Sequence, residues 1–126
     1  AVSPKPGPGF DSAMKTGYRM LERGKVAQAR ESFEAAAKAR PKRPEPHANL
    51  GWCSIETRKF DVAIKHFRHA LSVRPRYSDA LFGMGVAYEK KGSRSDAIGA
   101  FNSYLKYHPN GRKARMIKAR LERLSP

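Results

Sequence analysis

Apolar residues recur along this chain at helical spacing, and proline or glycine interrupts them at regular places. In the first third the periodicity runs from about Asp11 to Arg23, breaks at Gly24, resumes at Val26 and continues to about Arg40, where Pro41 stops it. Ala29, Phe33 and Ala36 stand at i, i+4 and i+7, one face of a helix that has to be buried against a partner. The middle third predicts helices over about 46–57 and 60–73, with Pro44 and Pro46 in a first turn, where a missing N–H costs nothing. A fifth helix is expected from Ser78 or Asp79 to a turn at Gly92-Ser93. The sixth opens on the capping-box-like Ser93-Arg94-Ser95-Asp96 and ends before Pro109-Asn110-Gly111. A seventh, over 112–124, is carried by Ala114, Ile117, Leu121 and Leu124. The chain reads as all-α, with about seven helices.

These elements repeat. Aligning Gly17, Gly51 and Gly85 at a period of 34 residues brings Ala29/Ala63/Ala97, Phe33/Phe67/Phe101 and Pro41/Pro75/Pro109 into uniform columns, with Gly24/Gly92 against Arg58 nearly so. Four columns kept in phase across three copies without insertion define units 10–43, 44–77 and 78–111, followed by a helix over 112–124. Residues 1–9 are Pro/Gly-rich and read as a semi-rigid linker or tail. With no initiator Met, a domain of a longer protein or a processed chain is expected. The unit resembles the tetratricopeptide repeat (TPR), through Leu50-Gly51, Ala63, Phe67, Ala70 and Pro75, and again through Met84-Gly85, Tyr88, Gly92, Ala97, Phe101 and Pro109. The resemblance implies a single domain over 10–126, an α-solenoid of antiparallel helix-turn-helix repeats wound as a right-handed superhelix. By its outer basic face, the last helix suits the polar cap such a stack requires.

The resemblance also implies that the first helix of each repeat lines a concave groove. The groove-facing positions are then Asp11, Met14, Lys15, Tyr18, Leu21 and Glu22; Glu45, Ala48, Asn49, Trp52, Ile55 and Glu56; and Asp79, Phe82, Gly83, Val86, Glu89 and Lys90. Met14, Tyr18, Leu21, Trp52, Ile55, Phe82 and Val86 are expected to stay exposed there as a partner surface, with Trp52 as central anchor. Six acids against two bases make the groove acidic-edged, suited to a helical or extended peptide presenting apolar anchors beside Lys or Arg. The carboxylate clamp by which this family holds acidic chaperone tails is matched only at Asn49; Met14, Tyr18, Asp79 and Gly83 depart from it, so binding of such tails is not expected.

Composition adds a second surface. The chain has 126 residues, enough for one domain that buries roughly two-thirds of its unfolded surface. Its formal charge is +15. Lys59, Lys65, Arg68, Arg74 and Arg76, with Arg112, Lys113 and Arg115 of the last helix, are expected to form a basic convex face. Binding of nucleic acid, anionic membrane or an acidic partner there is the alternative function, although aromatic residues do not interleave with the basic ones along the sequence. Self-association through a terminal repeat is a third option.

No apolar run approaches the roughly 20 residues a spanning helix needs, and Cys53 is alone, which excludes an internal disulfide and fits a reducing compartment. A cytoplasmic location is expected. His66 and His69 lie three apart but lack a third ligand and have Lys65 and Arg68 beside them, so they read as solvated; His47 and Cys53 read as packing residues. No nucleophile stands at a plausible spacing from a base, so no enzyme activity, metal or cofactor is expected. The chain reads as a protein-interaction module, scaffold or adaptor.

Overall fold

In this computed structural model the described residues run from Gly9 to Ser125. The linker expected ahead of them, over 1–8, lies outside the described residues. Seven helices follow one another there: α1 (Phe10–Glu22), α2 (Val26–Ala39), α3 (Pro44–Glu56), α4 (Phe60–Val73), α5 (Ser78–Lys91), α6 (Arg94–Tyr107) and α7 (Ala114–Leu124). Their first helices open at residues 10, 44 and 78, which is the 34-residue interval of the columns. Each first helix packs on its own second helix, α2 and α4 each pack on the next first helix, and α7 closes the stack on α6. Two helix starts and one cap differ from the sequence reading. The last helix opens at Ala114 and not at residue 112, because bend and turn geometry continues over 111–113. The third helix starts at Pro44, two residues early, because proline suits the first helical position. Ser93 precedes α6 without a side-chain capping bond, so the capping box is not formed.

The uniform columns have one physical cause. Phe33, Phe67 and Phe101 are fully buried, each ring set against the backbone of a first helix where the glycine column leaves no side chain. A Cβ at Gly51 would stand 2.7 Å from Cε1 and Cζ of Phe67, far inside van der Waals contact. Phe67 also lies against Gly83 of the following repeat, so its ring is seated between two helix backbones and locks repeat two to repeat three. Ala29, Ala63 and Ala97 are fully buried and let paired helices approach closely.

The turn inside each repeat requires one left-handed residue. Gly24 (φ 73°) and Gly92 (φ 91°) adopt it without a steric penalty, and Arg58 (φ 61°) occupies the same column. That cost, about 1 kcal/mol for an L-residue, is partly offset by the Arg58 guanidinium, which lies 5.5 Å from the centroid of the Phe60 ring.

Candidate functional site

The inner face is formed by α1, α3 and α5, and its side chains divide differently from the sequence reading. Met14, Ile55, Phe82 and Val86 are buried core residues, not exposed anchors. Asn49 and Ala48 are buried with them. The reason for Phe82 and Val86 is α7: Lys113 and Arg120 lie over the Phe82 ring, at 5.4 and 5.9 Å from its centroid, and both apolar residues belong to the cluster that holds Ile117 of α7. Met14 packs in the first-repeat cluster with Phe10 and Ala13. What remains accessible is Tyr18, 45% exposed, together with the half-buried Leu21 and Trp52.

Trp52 is both wall and floor. Its indole meets Phe67 edge-on at 5.4 Å and Phe82 at 5.8 Å, and its Nε1–H donates to Asp79 Oδ2 at 3.2 Å. Similar polar links span the neighbouring steps. Asn49 Nδ2 donates to the Tyr18 hydroxyl at 3.0 Å, tying α1 to α3, and Arg120 Nη1 donates to Glu89 Oε1 at 2.6 Å, tying α5 to α7. Each step along the inner face thus carries one side-chain bridge.

The same bridges redistribute the charge. Of the six inner-face acids, Glu45 pairs with Arg43 at 3.1 Å, Glu89 pairs with Arg120, and Asp79 accepts from Trp52. Burial pushes the Asp79 carboxyl above the usual range, opposed by the Trp52 hydrogen bond and by Lys113. Asp11, Glu22 and Glu56 stay exposed. The face is therefore acidic toward the first two repeats and basic where α7 brings Lys113 and Arg120. A cavity of about 490 Å³ opens at that basic end, between Asp79, Phe82, Tyr104, His108, Arg112 and Lys113.

On the opposite side, a furrow between α2 and α4 is floored by α3. There His47 and His69 stack at 3.9 Å with their rings 12° apart, and His66 lines the same space of about 760 Å³ with Glu31, Glu34 and Lys38. The expectation of two solvated histidines is corrected for His66, which is half-buried; His69 is exposed, with its ring stacked on the buried His47. Among the described residues no group of three His, Cys, Asp or Glu is placed to hold a metal ion. His47 Nε2–H donates to the Pro41 carbonyl at 3.2 Å, which fixes its tautomer.

Burial lowers the affinity of His47 and His66 for a proton, and the neighbouring imidazoles lower it further; the Pro41 carbonyl opposes this at His47 and Glu34 at His66. An unfolded chain keeps the ordinary imidazole value of about 6.5, so below it the unfolded state takes up protons that the folded state refuses. Stability is therefore full above that pH and falls as the pH falls through it. Thermal melts between pH 7.5 and 5.5, a window chosen around that value, should show a falling midpoint, flattened by His66→Gln. A midpoint that does not fall would contradict the packing of this cluster.

Cys53 is buried beside a neighbouring hollow that Arg30, Glu34 and His66 also line, its thiol pushed up to about 11 chiefly by burial, which keeps it protonated and a poor nucleophile. No helix among the described residues is long and apolar enough to cross a membrane.

A stack of three helical hairpins, with a glycine seat under each buried phenylalanine and a terminal helix laid on the last, is a helical-repeat protein. The family model described as Tetratricopeptide repeat matches residues 55–121, and a second of the same description matches 15–57. The chain belongs to the tetratricopeptide repeat family. Over 77 residues it is 32% identical to Superkiller protein 3 of Schizosaccharomyces pombe, covering 61% of this chain and 6% of that protein. Over 92 residues it is 28% identical to the peroxisomal targeting signal receptor of Yarrowia lipolytica, covering 72% of this chain and 15% of the receptor. The chain thus spans less than a sixth of the length of either relative. Its fold is shared with the TPR2B domain of yeast Sti1, solved as a complex with pHsp70, at a TM-score of 0.87 and 17% identity over 92% of this chain and 95% of that one.

Proposed function

We propose that the chain is a non-catalytic module that captures a peptide or helix of a partner protein on its inner face, within a larger scaffold. The observation that carries this reading is the exposure of Tyr18 beside Leu21 and Trp52, which pack on the core yet keep part of their surface open. An aromatic ring left in water on a concave face is the usual anchor point of such a surface. Glu22 and Glu56 flank these residues and favour Lys or Arg on the partner. The peroxisomal receptor and the Sti1 complex are relatives whose names point to protein partners, which supports the same class for this chain.

The expectation against acidic tails does not carry over from the sequence. It placed Asp79 in the way of a carboxylate, whereas the Asp79 carboxyl is held by Trp52 and faced by Lys113. The peptide best suited to the face has basic residues over repeats one and two and an acidic group near Lys113 and Arg120. Fluorescence titration with three labelled peptides tests this: an apolar peptide with basic flanks, the same peptide with an acidic C-terminal end, and an acidic chaperone-type tail alone. The second should bind best, and Tyr18→Ala should weaken it by about tenfold, or about 1.4 kcal/mol. Equal affinity of Tyr18→Ala and the unaltered chain would rule out capture on the inner face.

A further inference from the structure

The expected basic band on the convex side is not one surface. All of its residues are exposed, but Lys59 lies in a turn within a repeat, Lys65 and Arg68 lie on α4, Arg74, Arg76 and Arg112 lie in turns between repeats, Lys113 reaches over the inner-face Phe82 and Arg115 lies on α7. The turns between repeats, with the chain flanking them (38–45, 73–79 and 106–113), carry nine Lys and Arg against two acids. Both acids, Glu45 and Asp79, are already engaged by Arg43 and Trp52. The turns within repeats (22–26, 56–61 and 89–96) carry seven against five. Two of those five are paired, Asp61 with Lys91 and Glu89 with Arg120. One edge is therefore nearly balanced, and the other is a line of cations.

That line is built on rings. Arg43 lies 4.9 Å from the centroid of Phe10, Arg74 lies 5.5 Å from Tyr77, and Arg76 and Lys106 lie 4.7 and 5.5 Å from Tyr107. His108 Nε2–H donates to the Arg76 carbonyl, joining the last two turns into one continuous edge. Tyr107 is itself 37% exposed. Along the sequence Lys106 adjoins Tyr107 and Arg74 stands three before Tyr77, but Arg43 over Phe10 and Arg76 over Tyr107 join distant parts of the chain, so the alternation of rings and cations exists only in the fold.

From this arrangement we infer that the inter-repeat edge binds single-stranded nucleic acid, with the phosphates along Arg74, Arg76 and Lys106 and a base stacked on Tyr107. Guanidinium groups laid on rings present flat cationic faces whose conformational freedom is already restricted, so less ordering entropy is lost when a phosphate arrives. Nucleobases stack on such guanidinium planes and on tyrosine in a sequence-tolerant way. A lipid headgroup gains nothing from a stacking ring, and membrane-surface binding needs apolar side chains that enter the acyl boundary. Of the exposed large hydrophobic residues among the described ones, Tyr18, Val62, Tyr107 and Met116, only Tyr107 belongs to this edge.

Anisotropy of labelled oligouridylate and oligothymidylate of about 20 nucleotides, long enough to follow the edge past several cations, tests the inference on the full chain across a salt series. Affinity should fall steeply with salt, and Arg74→Gln/Arg76→Gln/Lys106→Gln should weaken binding by about tenfold or more and flatten the log–log salt slope by about 2, near 0.7 for each phosphate left without its cation. Lys25→Gln/Lys90→Gln/Arg94→Gln removes the same charge from the opposite edge and should leave affinity within about threefold. Tyr107→Ala should weaken binding by about fivefold or more without changing the salt slope, and Tyr107→Phe should restore it. Circular dichroism confirms folding, and because Tyr107 is exposed its variants report even if the triple Arg/Lys variant unfolds. Absence of binding at low salt overturns the inference. So do equal losses at the two edges, indifference to Tyr107, or equally tight binding of anionic vesicles or polyglutamate.

Discussion

Replacing Phe67 with Ala is expected to destabilise the chain by about 4 kcal/mol, the range for emptying a fully buried aromatic site. The cavity cannot collapse readily, because the ring is held between the backbones at Gly51 and Gly83, and helices move as units. Against a total stability of about 5–15 kcal/mol for a domain of this kind, that is enough to shift urea unfolding to much lower concentration. The loss should exceed that of a substitution at either end of the stack, since Phe67 joins two repeats. A loss below about 1 kcal/mol would mean that the ring is not seated as described.

Trp52→Ala is expected to cost about 3 kcal/mol of stability, in addition to any effect on partner binding. The sequence alone makes Trp52 an exposed anchor, and the structure gives it packing contacts as well. The indole packs on Phe67 and Phe82 and donates to the largely buried Asp79, so truncation opens a gap and leaves a desolvated carboxylate without its donor. Trp52→Phe separates the two contributions: most of the packing survives, and the lost hydrogen bond alone should cost about 1 kcal/mol. Urea titrations of the two variants decide it. Equal losses would assign the whole effect to the hydrogen bond, and no loss in either would return Trp52 to the role of a free anchor.

The repeat and its hairpins were legible because their causes recur. A phenylalanine that needs a bare backbone beneath it forces glycine one helix away in every copy, so Gly17, Gly51 and Gly85 announce the packing in the bare sequence. The inner face was less legible, and Phe82 shows why. In a repeat followed by another repeat its position is floor, whereas here α7 arrives with Lys113 and Arg120 and converts it to core. A signal was present: Lys113 stands 34 residues after Asp79, and Arg120 stands 34 after Val86, so carrying the groove register past residue 111 places both. The stack of His47 on His69 had no such signal. Those residues sit on different helices, and only the angle at which α3 meets α4 brings the two rings face to face.

The bridges Asn49 to Tyr18, Trp52 to Asp79 and Arg120 to Glu89 have a mechanical meaning. With one clip per coil, the pitch of this short spring is set by hydrogen bonds on the same surface that a guest would touch. A guest group that takes over one end of a clip releases that coil alone, so the domain is expected to register occupancy as a local change of curvature. Scattering profiles with and without a bound peptide would reveal it, and identical profiles would show a rigid trough instead.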